Sequence, residues 1–85
     1  MIESYVVIAK KGSGEKTHKH YLKLSMAVTA TRYMFKSKLY SKLLLFRAFY
    51  QSERKVRMSI PDKTERLWDS DKNSIEELNE ISKKS

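Results

Sequence analysis

The chain of 85 residues has no cysteine, which removes disulfides and thiolate metal ligands from the means of reinforcing so short a fold. Its one proline, Pro61, and its two glycines, Gly12 and Gly14, leave few places where the backbone is forced to stop or reverse. No apolar run approaches the ~20 residues of a membrane span; Leu43–Phe46 is four residues long. The start, Met1-Ile2-Glu3, lacks the basic and apolar stretches of a secretory signal. These absences predict a cytoplasmic protein with no membrane contact, no metal and no cofactor.

Acids are the most unevenly missing residue type. Residues 16 to 52 contain no Asp or Glu but eight cations: Lys16, Lys19, Lys23, Arg32, Lys36, Lys38, Lys42 and Arg47. Adding Arg54, Lys55 and Arg57 against Glu53 gives residues 16 to 57 eleven positive charges and one negative, net +10. From Met58 onward five cations meet seven acids, net −2, and the whole chain carries +8. Self-repulsion of that size favours a polyanionic partner, because a merely solvated surface mixes both signs.

Length sets the other bound. A domain this small buries only roughly 60% of the surface its unfolded chain exposes, leaving no room for a separate catalytic lobe. A core so limited makes self-association, as a homodimer, a reasonable expectation. Nine aromatics and 40% hydrophobic residues argue against a disordered chain.

Residues 2 to 9, IESYVVIA, are β-branched and aromatic and read as a strand; KKGSGEK then supplies a turn. THKHYLKLSM, residues 17 to 26, alternates, with His18, His20, Leu22, Leu24 and Met26 on one face and Lys19, Tyr21, Lys23 and Ser25 on the other. The two segments predict an antiparallel hairpin. Residues 26 to 40 place Met26, Ala27, Ala30, Tyr33 and Met34 at helical spacing, with Ser25 as a possible cap. KLLLFRAFY, residues 42 to 50, fits either a two-sided strand or a continued helix.

KVRMSI, residues 55 to 60, alternates with Val56, Met58 and Ile60 inward, which predicts a strand ended by Pro61 and a hairpin turn at Gln51–Arg54. Residues 62 to 72 are a polar loop in which Leu67 and Trp68 form a plug. Ser74-x-x-Glu77 is a capping box opening a short helix with Ile75, Leu78 and Ile81 on its apolar edge and Lys83 and Lys84 at its end. The expectation is an α+β fold, ββαββα, with residues 1–72 a basic domain and 73–85 an amphipathic helix docked on that domain or on a partner.

Lys19, Tyr21 and Lys23, with Tyr5 nearby, would give cations for successive phosphates and a ring for a base, a combination suited to single-stranded RNA. Arg32, Lys36, Lys38 and Lys42 supply a second basic group and Arg54, Lys55 and Arg57 a third, and Arg47 joins the pool from which phosphate contacts are drawn. With no GXXG loop and no RNA-recognition aromatic signature, largely sequence-independent RNA binding is expected. His18 and His20 share a face and could serve as an acid and base in a metal-free ribonuclease, but Glu15 is the one carboxylate near them. Edge histidines are the simpler reading, and no catalytic residue is assigned. Gly12-Ser13-Gly14-Glu15-Lys16-Thr17 lacks P-loop spacing and serves as a turn.

From MIESYVVIAKKGSGEK, through the acid-free KLSMAVTATRYMFKSKLYSKLLLFRAFY, to SIEELNEISKKS, the chain resembles the TifA-like family of small counter-defence proteins of T-even-like phages. The resemblance lies in size and character across the whole chain and transfers no site residue. It implies a protein of the host bacterial cytoplasm that binds RNA together with a host endoribonuclease toxin, the ToxN of a type III toxin–antitoxin system. The toxin would be held inactive in a ribonucleoprotein complex. The alternative is a basic effector that clamps an acidic host protein without RNA.

Overall fold

The computed structural model describes residues 2–58 and 60–83. In chain order the elements are β1 (Ile2–Lys11), β2 (Lys16–Tyr21), α1 (Leu24–Ser37), β3 (Tyr40–Tyr50), α2 (Glu53–Arg57), β4 (Lys63–Asp69) and α3 (Ile75–Lys83). The strands form one antiparallel sheet in the order β2-β1-β3-β4. The α+β class is as expected.

The first hairpin forms where both glycines lie. Gly14 adopts a φ of 95°, a conformation with a low steric cost only for glycine. The Lys11 N–H donates to Glu15 O at 2.9 Å, and the register then sets Lys10 opposite Lys16 and Tyr5 opposite Tyr21.

α1 begins two residues before the expected start, and its buried line is Leu24, Ala27, Val28, Thr31 and Met34. Met26 and Tyr33, expected inside, are 54% and 78% exposed. The reason is geometric. The line Leu24, Ala27, Val28 and Thr31 has i, i+3, i+4, i+7 spacing, which turns Met26 and Tyr33 outward, and Thr31 is tolerated in the core because its hydroxyl donates to Ala27 O at 2.7 Å. Ser25 is not the cap: Lys23 holds the N-cap position without a side-chain hydrogen bond. Lys38 ends the helix in the left-handed region, at φ 58°.

β3 resolves the ambiguity of residues 42 to 50 as a central strand. The predicted strand at 55 to 60 is not there. Ser52 Oγ accepts from Lys55 N at 3.4 Å and, with Glu53 in the first turn, starts the short helix α2; Met58 and Ile60 stay exposed, and Ser59 lies outside the described residues. The strand that pairs with β3 begins after Pro61 and includes Leu67 and Trp68, which are not a loop plug. A register shift between Leu45 and Phe46 places an extra residue in β4, which breaks the simple alternation there.

The capping box forms as expected: Ser74 Oγ accepts from Glu77 N at 3.3 Å, and Glu77 Oε1 accepts from Ser74 N at 3.4 Å. Leu78 is fully buried and Ile75 and Ile81 are partly so; α3 therefore packs on its own domain, against α1. Lys84 lies outside the described residues.

The core fills the space between the helices α1 and α3 and one face of the sheet. Val7, Ala9, Leu43, Leu45 and Trp68 come from the strands, and Ala27, Val28, Met34 and Leu78 from the helices. Trp68 is 1% exposed, its ring meets Phe35 edge-on at 5.9 Å, and its Nε1 donates to Ser74 O at 2.8 Å. Among the described residues no helix is long and apolar enough to cross a membrane.

Candidate nucleic-acid interface

With both long helices on one side, the other face of the sheet carries, among the described residues, no helix of comparable length. Strand alternation assigns its residues. Lys10 pairs with Lys16 on one side and Lys42 on the other, so three lysines stand in one row across β2, β1 and β3. The next row holds His18, Ile8 and Leu44; the one after holds His20, Val6, Phe46 and Arg66. Ala48, Tyr50, Thr64 and Pro61 close the far end, and a cleft of about 420 Å³ runs over Val6, Ile8 and Phe46 between them and the histidines.

Like charges placed directly opposite each other destabilise a strand pair. Among the described residues Lys10 and Lys16 make no ion pair, and Lys42 meets Asp71 at 3.4 Å. Arg66 is tethered to buried Asp69 at 3.5 Å. Val6, Ile8, Leu44 and Phe46 are half-buried, so the floor between the cations is apolar and reachable. The face can therefore hold a ligand that is anionic along one edge and flat and apolar along another.

The eleven nominated residues do not share one surface. Lys42 belongs to the lysine row. Lys19, Tyr21 and Arg47 point to the opposite, helix-covered side, where Tyr21 is half-buried opposite Tyr5 and the Arg47 guanidinium lies 5.9 Å from the Tyr5 ring centre. Tyr21 and Lys19 border a groove of about 490 Å³ along α1, beside Met26 and Tyr33. Lys23 sits at the N-cap of α1, Arg32 and Lys36 within it, and Lys38 at its C-cap. Arg54, Lys55 and Arg57 are on α2.

Four of these cations have acidic neighbours: Lys42, Arg47 with Glu65 at 3.9 Å, Arg57 with Glu53 at 3.8 Å, and Lys55 with Asp62. The Lys55 ammonium donates to the Asp62 carboxylate, and together with the Gln51 N–H it holds that carboxyl below its ordinary range. Lys19, Lys23, Arg32, Lys36, Lys38 and Arg54 make no ion pair among the described residues.

His18 and His20 share a face by strand alternation alone, but runs of charge along the chain do not reveal that Lys10, Lys16 and Arg66 join them there. The Lys10–Lys16 pairing was signalled by the short glycine turn, whereas the approach of Lys42 and Arg66 depends on the order of strands. His18 and His20 are exposed and lie beside Ile8 and Val6. Among the described residues no group of three His, Asp or Glu side chains could hold a metal ion. Compared with protein-family models, characterised proteins and solved structures, the chain matches none of them.

Proposed function

We propose that this chain is a non-catalytic RNA-binding protein that holds a host endoribonuclease toxin inactive within a ribonucleoprotein complex in the bacterial cytoplasm. The observation that carries the RNA part is the Lys16–Lys10–Lys42 row, with cations brought together by strand pairing and little acid to offset them. A polyanion relieves the repulsion that such a row imposes, and phosphate contacts give affinity without sequence preference. The toxin as protein partner and the phage counter-defence role rest on the resemblance to the TifA-like family.

The test is the salt dependence of RNA affinity. Log affinity of the purified chain should fall linearly with log salt, and replacing Lys10, Lys16 and Lys42 together by alanine should reduce the slope by roughly two. Binding indifferent to salt sinks the proposal. If the partner is held through RNA, ribonuclease treatment should release the toxin from the complex.

A second reading, a clamp on an acidic host protein without RNA, draws on the groove between β2 and α1. Exposed Met26 and Tyr33 lie there beside Lys19. A complex that survives ribonuclease intact favours it.

A further inference from the structure

We infer that the sheet face opposite α1 and α3 takes unpaired RNA, with bases laid on the apolar floor and phosphates along the lysine row, and that it discriminates against the duplex. This rests on the proposed RNA binding and names the form of RNA.

The lysine row alone would serve any polyanion. The neighbouring rows are more selective: Ile8 and Leu44, then Val6 and Phe46, are half-buried side chains with part of their apolar surface in water. A duplex shows phosphates and sugars to the outside and keeps its base faces stacked, so it could use the lysines and leave this floor wet. An unpaired strand has free base faces, and stacking them on an aromatic ring while covering aliphatic surface is favourable whatever the base. Phe46 offers that ring in the middle of the face, and His20, two positions across the sheet through Val6, offers another.

The charges suit the same pose. Lys16, Lys10 and Lys42 span three strands at the sheet's usual spacing of about 4.8 Å, and Arg66, held by Asp69, flanks Phe46 on β4. Bases laid on the floor would keep their backbone along the lysine row at its end. A second copy of the chain fits less well, since face-to-face packing would bring together two lysine rows in which Lys10 and Lys16 make no ion pair among the described residues.

The experiment uses the full chain, a single-stranded RNA oligonucleotide without self-complementarity, and the duplex made by annealing it to its complement. Both are titrated by fluorescence anisotropy at two salt concentrations. The single strand should bind about tenfold tighter than the duplex, and Phe46→Ala should weaken the single strand by about tenfold while changing duplex binding little. Phe46→Leu keeps the apolar contact and removes the ring, so an intermediate loss separates stacking from damage to the fold. Far-ultraviolet circular dichroism verifies each variant.

Equal affinity for the two forms, or a preference for the duplex, overturns the inference while leaving RNA binding in place. Binding to neither form overturns the RNA reading itself. Sedimentation without RNA supplies the last arm: a dimer that Phe46→Ala dissociates would assign the floor to a second copy and overturn the inference.

Discussion

The two faces of the sheet are made by neighbouring residues of the same strands, yet they meet opposite fates. On the helix side Val7, Ala9, Leu43 and Leu45 are 0–2% exposed, whereas Val6, Ile8, Leu44 and Phe46, one position along, keep part of their surface in water, and only the far end of that face, at Ala48 and Tyr50, is buried. The covered face needs only volume and shape, and it is filled by Trp68, Leu78 and the small residues of α1. The open face mixes apolar floor with cations, a composition that water tolerates and a polyanion can use. Hydrophobicity along the chain does not distinguish them, because β1 and β3 are apolar on both sides. Only the placement of α1 and α3 does.

The largest expected break in that contrast is in stability. Trp68→Ala removes the biggest fully buried side chain and should destabilise the fold by about 3–5 kcal/mol in urea titration. Phe46→Ala, on the open face, should cost roughly 1 kcal/mol because only part of the ring leaves an apolar setting. If the two losses are equal, the open face is as much a core as the covered one, and the contrast fails.

A smaller effect tests what keeps the helices to one side. Ser74→Ala removes the hydroxyl that accepts from Glu77 N and should lower stability by about 1 kcal/mol, with amide exchange rising first in α3. Protection lost evenly across the sheet would mean that the capping box does not act locally.

The smallest shift concerns the exposed segment that closes the end of the open face. Folding lowers the Asp62 pKa below its ordinary 3.8, through the Lys55 hydrogen bond first and the Gln51 N–H second. A carboxyl with a depressed folded pKa contributes stability above its unfolded value and loses that contribution as pH falls through the folded one. The melting temperature of the parent should therefore exceed that of Asp62→Asn at neutral pH, and the gap should close as pH falls below 3.8. A gap that persists in acid would assign the difference to something other than ionisation.

Much of the architecture could be read directly from the residues. β1, the glycine turn, β2 as far as Tyr21 and the Ser74–Glu77 box each carry a local physical signal strong enough to survive folding, whereas the alternation expected to run on to Met26 gives way to α1 at Leu24. The segment from Gln51 to Asp69 did not, for two opposed reasons. KVRMSI alternates like a strand, but Ser52 and Glu53 begin a helix just before it, and Pro61 then moves the true strand downstream. KTERLWD hides its strand character because it is polar at its start and irregular where it passes Leu45 and Phe46.

The candidate site was less legible than the fold. An excess of cations is visible in the sequence, but which of them share a surface depends on register. Lys10 and Lys42 are thirty-two positions apart and become neighbours only when β3 pairs with β1. Lys19 and Lys42, both nominated for the same duty, end on opposite sides of the sheet.

The strand order leaves β2 and β4 as the sheet's outer margins, each with a row of backbone groups that no neighbouring strand occupies. Margins of this kind invite another chain to add itself and seed insoluble stacks. Lys16 and Lys19 along β2 give any approaching copy a like-charged fence to cross, whereas β4 balances Lys63 and Arg66 with Glu65 and Asp69. Crowding at low ionic strength should thus be better tolerated than crowding in concentrated salt, where the fence is screened and the bare edges are left to find each other.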